Sequence, residues 1–210
     1  MLRDWLTSPV AVLLGGNSAE REVSLKSGAA VLKALKNKGI DAVAIDTAKD
    51  GWIQQISNHY NHVFIALHGV NGEDGTVQGL LQMMNVTYTG SGVMASALGM
   101  DKLRCKQLWQ GVGLPTSDFK RLHAGSDWQA LMSDWGEAMV KPNHEGSSLG
   151  MTKVDSAEQL AKAYEFASEY DADVLAERWI NGAESVFYSH LTLPTIYSLS
   201  FSFVRYSFTK

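Results

Sequence analysis

Two apolar patterns alternate along the first part of the chain. Short runs rich in Val, Ile, Leu and Phe are typical of buried strands. Between them lie segments with helical spacing, such as the one that carries Val31, Ala34 and Leu35 and stops at Gly39. Because strands and helices alternate, the pattern predicts an α/β fold with a mostly parallel sheet covered on both faces. The strands are predicted over residues 10–14, 41–46, 62–67 and 86–89, and the helices over residues 24–35, 52–56 and 75–84.

A second unit is predicted to begin near Ser91. Two helical segments come first, and a loop rich in glycine and proline follows them at residues 111–115. Ser156 and Gln159 have the spacing of a capping box, which predicts a helix that reaches about Tyr170. We therefore expect one domain over residues 1–90 and a smaller α+β domain over residues 91–184. Its other elements are predicted as helices over 93–98 and 102–110 and strands over 138–142, 151–154 and 174–180.

The last segment, residues 185–210, differs in composition from the chain before it. It contains no glycine and no acidic residue, but it holds six serines and four of the seven phenylalanines. Two or three hairpin strands are one interpretation. The other is that this atypical tail is foreign or frame-shifted and was not selected as part of the same domain. We favour the second interpretation because the change is abrupt, and we expect the tail to pack poorly.

Composition excludes several classes of protein. The chain is 45% hydrophobic and 19% charged, as globular proteins are, and its net charge of −4 argues against a nucleic-acid partner. Its single cysteine, Cys105, cannot form an internal disulfide, and we expect it to fill apolar space on a helix. No segment has the apolar length of a signal peptide or a membrane span. The expected setting is therefore the cytoplasm, with no membrane partner.

Two strand ends carry the first candidate site residues. Glu20 follows strand 10–14 and the loop at Gly15 and Gly16, and His68 directly follows strand 62–67. Ligands of open α/β sheets bind beyond the carboxyl ends of the strands, so Glu20 and His68 could converge on a small zwitterion. Alternatively, Glu20 only complements the helix dipole and His68 only completes a turn. The glycine loop matches neither a dinucleotide-binding fingerprint nor a Walker motif.

Glu73 and Asp74 belong to the same loop as His68. We expect these two carboxylates to shape the turn and to cap the helix at Gly75, and not to bind a metal ion.

A second group of residues has the chemistry of a phosphate site. Lys141 lies in a predicted strand, and Ser147 and Ser148 follow in a loop that also contains Gly146 and Gly150. Together with Lys102, these residues supply the ammonium groups, hydroxyls and backbone N–H groups that a triphosphate needs. A lysine is usually only a surface charge and a serine-rich loop usually only a loop. Their occurrence together between two strands favours phosphate binding.

The segment from Glu177 to Glu184 is the last candidate. Carboxylates at the two ends of a strand and turn could accept hydrogen bonds from an adenine amine and a ribose diol. The backbone between them, at Trp179 and Ile180, could imitate base pairing. A glutamate on an edge strand is more often simply solvated, so this signal is weak by itself.

Taken in order, these motifs resemble the D-alanine–D-alanine ligases of the ATP-grasp superfamily. The resemblance runs from about Val10 to Glu184. Its most specific part is residues 68–79, His-Gly-Val-Asn-Gly-Glu-Asp-Gly-Thr-Val-Gln-Gly, and residues 88–102, which end in Met-Asp-Lys. The segments 13–24, 140–142 and 145–148 match as well. The resemblance implies a Rossmann-like pre-ATP-grasp domain that binds D-alanine and a small ATP-grasp subdomain, with the large C-terminal ATP-grasp subdomain missing.

The resemblance also implies a reaction. Enzymes of this family use ATP and Mg²⁺ (or Mn²⁺) to phosphorylate the carboxylate of one D-alanine, and the amine of a second D-alanine attacks the acyl phosphate. The dipeptide serves peptidoglycan synthesis, and the enzymes are expected to be homodimers. On the matching positions, the implied catalytic residues are Glu20, at the ammonium of the first D-alanine, His68 and Ser147. The implied ATP-binding residues are Lys102, Lys141, Ser147, Ser148, Glu177, Trp179, Ile180 and Glu184.

The chain departs from the family pattern at two places. His144 stands where many relatives have arginine, which affects a peripheral loop contact. After Glu184 the family's lid loop, its catalytic arginine and its Asp, Glu and Asn magnesium ligands do not follow. We therefore expect a truncated and inactive ligase. The alternatives are a working ligase, a non-catalytic fragment that binds D-alanine or nucleotide, and another ATP-grasp carboxylate–amine ligase.

Overall fold

The first half of the chain folds around a parallel sheet of four strands. In this computed structural model, residues 8–182 are described. The elements are β1 (Val10–Leu14), α1 (Arg21–Asn37), β2 (Ala42–Asp46), α2 (Trp52–His59), β3 (His62–Ile65), α3 (Thr76–Met83) and β4 (Thr87–Tyr88). The strand order is β2-β1-β3-β4, and both neighbours of β1 run parallel to it, with Val10 in register with Ala42 and His62.

The central strand of this sheet, β1, is apolar along its whole length. Every residue of β1 is buried, as expected of the central strand in a sheet that is covered on both faces. Leu13 of β1, Ile56 of α2 and Leu81 of α3 are among the largest fully buried side chains, and they belong to one core cluster together with Val63 from β3. The carboxyl ends of β1 and β3 therefore form one fixed edge, and the loops that follow these strands lie next to each other.

The second half of the chain folds around an antiparallel sheet of four strands. The elements are α4 (Val93–Met100), α5 (Lys102–Gly111), β5 (Phe119–Leu122), α6 (Trp128–Trp135), β6 (Ala138–Pro142), β7 (Thr152–Val154), α7 (Ala157–Ser168) and β8 (Val174–Arg178). The strand order is β5-β8-β6-β7. Helices α6 and α7 contribute Leu131, Leu160 and Ala163 to a core cluster that also includes Val140 and Ala176 from the sheet.

The mixed α/β fold with a parallel first sheet is confirmed, and differences from the sequence prediction are local. Helix α1 begins at Arg21, three residues earlier than predicted, and β3 ends at Ile65. The capping hydrogen bond is present, because the Ser156 hydroxyl accepts from the N–H of Gln159. Cys105 lies on α5, where its thiol donates to the carbonyl of Leu98. Two elements were not predicted, β5 and α6.

Some expectations concern residues beyond the described range. The tail at residues 185–210 and Glu184 lie outside residues 8–182, so the predictions made for them stay predictions. Among the described residues, no helix is both long enough and apolar enough to span a membrane.

Substitution of two helical glycines by alanine should change the free energy of unfolding in opposite directions. A Cβ at Gly28 of α1 would lie 2.5 Å from Cβ of Leu14, whereas a Cβ at Gly99 of α4 would meet no atom within 4 Å. We expect Gly28→Ala to lower the free energy of unfolding by about 1–3 kcal/mol, because the helix must shift away from β1. The matched variant Gly99→Ala should raise it, by up to about 1 kcal/mol. Urea denaturation followed by circular dichroism measures both, and an equal effect of the two substitutions would contradict this packing.

Candidate active site

Glu20 and His68 lie at adjacent strand ends and are connected through Ser18. Glu20 occupies the N-cap position of α1, and only 8% of its surface is exposed. The hydroxyl of Ser18 accepts from the N–H of Glu20 at 3.2 Å and donates to the carbonyl oxygen of His68 at 2.7 Å. The structure therefore brings these two predicted residues to one edge of the parallel sheet.

The His68 ring is held from two sides. Its Nε2 lies 3.0 Å from the hydroxyl of Ser27, and its Nδ1 lies 3.8 Å from a carboxylate oxygen of Glu73. The other oxygen of Glu73 accepts from the N–H of Gly69 at 2.7 Å, and Asp74 accepts from the N–H groups of Asn71 and Thr76. These hydrogen bonds agree with the expectation that Glu73 and Asp74 shape the loop.

The glycine loop after β1 is fixed by an ion pair that the sequence did not reveal. Arg21 contacts Asp46 at 2.7 Å and donates to the carbonyl of Gly16 at 2.9 Å, and Asp46 also accepts from the N–H of Gly16. Hydrogen bonding to Arg21 holds the pKa of Asp46 well below its usual range, although burial opposes this effect. A Cβ at Gly15, whose φ is 73°, would collide with the Asp46 carboxylate. The loop therefore needs glycine where it passes Asp46.

The Glu20 carboxylate has one oxygen with a partner and one without. Ser147, in the loop after β6, donates its hydroxyl to Oε1 of Glu20. Oε2 is buried and accepts no hydrogen bond from any residue in the range 8–182. Gly69 and Gly146 flank this oxygen: a Cβ on Gly69 would lie 3.0 Å from it, and a Cβ on Gly146 would lie 3.3 Å from it. Because a buried carboxylate oxygen without a donor is costly, the arrangement favours a cationic ligand at Oε2.

The loop that carries Ser147 has a strained backbone. Ser147 and Ser148 have φ angles of 50° and 60°, in the left-handed region that residues other than glycine rarely adopt. Backbone conformations of this kind cost free energy and concentrate at ligand-binding loops. Both serines are exposed, and because the hydroxyl of Ser147 is already donated to Glu20, the hydroxyl of Ser148 is the one that a ligand can engage.

Lys141 and Glu177 meet on one face of the antiparallel sheet. Lys141 pairs with Leu175 and Glu177 pairs with Met139, which makes the lysine and the glutamate diagonal neighbours on adjacent strands. The Lys141 ammonium lies 2.9 Å from one oxygen of Glu177. The other oxygen lies 3.7 Å from the ammonium of Lys106, so the carboxylate stands between two lysines.

Lys102, on α5, is a third lysine in the region of Lys141 and Lys106. Its ammonium donates to the carbonyl oxygen of Asn143 at 3.1 Å and to that of Glu145. Burial lowers the pKa of Lys102, the neighbouring charge of Lys141 lowers it further, and acidic neighbours oppose both effects. A bound anion would favour the charged form of both lysines. This corner of the molecule is therefore suited to phosphate.

Lys106 was missed by the sequence analysis. It is buried, donates to the hydroxyls of Thr116 at 2.7 Å and Ser117 at 2.8 Å, and has a pKa that burial lowers. It follows Lys102 by four residues on α5, which places both side chains on one face of the helix. That spacing is the signal that could have identified it.

The remaining predicted residues lie beyond the end of β8. The N–H of Trp179 donates to the carbonyl of Glu137, and the ammonium of Lys153 lies 4.5 Å from the centre of the Trp179 ring. The side chain of Ile180 is 68% exposed. These two residues directly follow the strand that carries Glu177, whereas Glu184 lies outside the described range.

A cavity of about 390 Å³ borders His68 and the loop at Gly16. Its wall combines apolar side chains, among them Trp52, Leu67 and Leu80, with polar ones such as Asn17, and Glu20 is not part of it. The unpartnered oxygen of Glu20 therefore does not face this cavity.

Both halves of the chain match models of one protein family. The model described as D-ala D-ala ligase N-terminus matches residues 9–62 and 53–91, and the model described as D-ala D-ala ligase C-terminus matches residues 108–187. The chain belongs to the D-alanine–D-alanine ligase family. Relatives in this family include the D-alanine–D-alanine ligase of Pseudomonas putida strain GB-1, with 53% identity over 83% of this chain and 55% of the relative. The enzyme of Azoarcus sp. strain BH72 is 54% identical over 89% of this chain and 62% of the relative.

Solved structures of D-alanine–D-alanine ligases share the fold. The enzyme of Bacillus anthracis superposes with a TM-score of 0.75 and 31% identity, over 83% of this chain and 58% of that one. A second structure of that enzyme is complexed with ATP and has a TM-score of 0.73, 30% identity and coverage of 83% and 60%. The chain thus spans a little more than half the length of the ligases it matches.

The described range offers no site for the Mg²⁺ (or Mn²⁺) that the resemblance implies. Within residues 8–182, no three side chains of His, Cys, Asp or Glu stand where they could hold a metal ion. The described residues therefore do not fit a metal site.

Proposed function

We propose that the chain carries the first D-alanine subsite and the nucleotide-binding side of an ATP-dependent D-alanine–D-alanine ligase. The observation that supports this proposal best is the buried, unpartnered Oε2 of Glu20, which lies next to a strained serine loop. A buried carboxylate oxygen of this kind suits the ammonium of an amino acid. The ammonium groups of Lys102 and Lys141 suit the phosphates of ATP.

In this proposal, D-alanine binds between the two strand-end loops. Its ammonium donates to Oε2 of Glu20, while Oε1 keeps its hydrogen bond from Ser147. His68 lines the subsite, with its Nε2 held at Ser27. D-Alanine is thus fixed at its ammonium end, and its own carboxylate is directed toward the phosphate-binding loop. A transfer reaction requires this positioning of the reacting group.

On the nucleotide side, Lys102 and Lys141 bind the phosphates of ATP, and Ser147 and Ser148 cover them. Glu177 accepts from the amine of adenine, the backbone at Trp179 and Ile180 contacts the base, and Glu184 binds the ribose. Glu177 suits this role because its carboxylate is already fixed between Lys141 and Lys106.

The reaction that we propose for the whole ligase has two steps. A carboxylate oxygen of the first D-alanine attacks the γ-phosphorus of ATP, ADP leaves, and an acyl phosphate forms. The amine of the second D-alanine then attacks the carbonyl carbon, inorganic phosphate leaves, and the amine loses a proton. The loop over the site would exclude water, which would otherwise hydrolyse the acyl phosphate.

We extend the proposal to the organisation of the protein. Residues 1–90 form the D-alanine-binding domain, and residues 91–184 form the small ATP-grasp subdomain. The dipeptide that the whole ligase makes serves peptidoglycan synthesis in the cytoplasm, and the whole ligase is a homodimer that uses Mg²⁺. By itself, the polypeptide of 210 residues binds D-alanine and ATP without turnover, because within it residues 185–210 contain no Asp or Glu that could help to hold the metal ion.

Coupled assays of phosphate release, with D-alanine and Mg-ATP, test this proposal together with binding titrations of each ligand. We expect both ligands to bind and phosphate release to stay at background. Turnover above background would contradict the binding-only state and would identify a working ligase. Failure of both ligands to bind would contradict the proposed site itself. L-Alanine in place of D-alanine is the matched control for the amino-acid subsite.

A further inference from the structure

His144 is held at the start of the serine loop by an aspartate. Its backbone N–H donates to Oδ2 of Asp171 at 2.7 Å, and its Nδ1 lies 2.8 Å from the same oxygen. The other oxygen of Asp171 accepts from the N–H of Asp173, directly before β8. The main chain and the ring of His144 are therefore both attached to the turn that precedes the strand of Glu177.

The opposite edge of the His144 ring faces Asn143 and Asp101. Asn143 is 98% buried, and its Nδ2 lies 3.1 Å from Nε2 of His144 and 2.9 Å from Oδ1 of Asp101. Its Oδ1 accepts from the N–H of Leu103 at 2.8 Å. All these contacts are satisfied if Nδ1 of His144 carries the proton and donates to Asp171 while Nε2 accepts from Asn143.

This network contacts Lys102 both at its main chain and at its ammonium. Asp101 is the N-cap residue of α5 and directly precedes Lys102, and the main-chain N–H of Lys102 donates to the carbonyl of Asn143. The Lys102 ammonium donates to the carbonyl oxygens of Asn143 and Glu145, the two residues on either side of His144. The orientation of the peptide groups around His144 therefore decides where the ammonium of Lys102 can lie.

We propose that His144 is a positioning residue that holds Lys102 and the loop of Ser147 and Ser148 in place for phosphate. It touches neither the proposed nucleotide nor D-alanine, and it acts through Asp171 and Asn143. The proposal rests on the proposed function, in which Lys102 binds the phosphates of ATP. It predicts that loss of the ring weakens phosphate binding selectively, while the rest of the nucleotide subsite is preserved.

Titrations of the full 210-residue chain with ATP and with adenosine test this selectivity. We expect His144→Ala to weaken ATP binding about tenfold, the effect of one lost hydrogen bond to a charged group, and to leave adenosine binding unchanged. His144→Asn should restore most of the affinity for ATP, because its side-chain N–H lies near the position of Nδ1. His123→Ala, at an exposed histidine after β5, is the matched control. Equal losses for ATP and adenosine, or no loss at all, would overturn the proposal.

Amide hydrogen exchange without nucleotide separates this proposal from the proposed function. In His144→Ala, exchange should become faster at residues 101–104 and 143–150 and should stay unchanged in α7. If the wild-type chain bound neither ATP nor adenosine, the nucleotide site would be refuted, and faster exchange would still support the effect of His144 on Lys102 and the loop. Unchanged exchange at both segments would refute the role of His144 whatever the chain binds.

Discussion

Glu20→Gln should weaken the binding of D-alanine about 30- to 150-fold, as expected when a hydrogen bond to a charged group worth roughly 2–3 kcal/mol is lost. Glu20 is buried, and its Oε2 has no donor among the described residues. A neutral amide oxygen can still accept from Ser147, so the loop contact survives the substitution. The change therefore removes the counter-charge of the ammonium and little else. Isothermal calorimetry with D-alanine measures the effect.

Glu22→Gln is the matched control for this experiment. Glu22 lies two residues further along, in the first turn of α1, and its side chain is exposed. The substitution Glu22→Gln removes the same charge from the same end of α1, so a long-range electrostatic effect would appear in both variants. Equal affinities of the wild type and Glu20→Gln for D-alanine would show that Glu20 does not hold the ammonium.

Lys141→Met should weaken the binding of ATP about 10- to 100-fold, because an ammonium–phosphate hydrogen bond is lost. The substitution also removes the lysine that lies 2.9 Å from Glu177, so the carboxylate keeps only Lys106 beside it. The binding of adenosine should therefore weaken as well, but by a smaller factor than that of ATP. Calorimetric titrations with ATP and adenosine measure the two effects on one protein sample.

Lys162→Met provides the control for a lost positive charge. Lys162 is exposed on α7 and pairs with Glu158 one helical turn away, in an ion pair of the kind that contributes little to stability. Its loss should leave the binding of ATP unchanged. An ATP affinity of Lys141→Met equal to that of the wild type would exclude Lys141 from the phosphate site.

The fold was largely predictable because its central strands have strong local patterns. The apolar run of β1 and the helical spacing of α1 do not depend on distant residues for their interpretation. By contrast, β5 has two charged residues among its four, Lys120 and Arg121, and so lacks the apolar character of a buried strand. Its identity as a strand comes from pairing with β8, which no local pattern encodes.

The site was predictable as far as strand ends determine it. Glu20 and His68 could be placed together because they follow strands that turned out to be neighbours. The contact of Ser147 with Glu20 joins residues 127 positions apart, and it depends on how the serine loop approaches the parallel sheet. The ion pair of Arg21 and Asp46 likewise depends on the order of the strands. These contacts follow from topology and could not be inferred from spacing.

The most direct test is a crystal structure of the 210-residue chain with D-alanine and a non-hydrolysable ATP analogue. The proposed function predicts that the ammonium of D-alanine lies about 3 Å from Oε2 of Glu20, within hydrogen-bonding distance. It also predicts that the phosphates of the analogue contact Lys102 and Lys141. D-Alanine bound elsewhere while Oε2 of Glu20 stays without a donor would contradict the central claim.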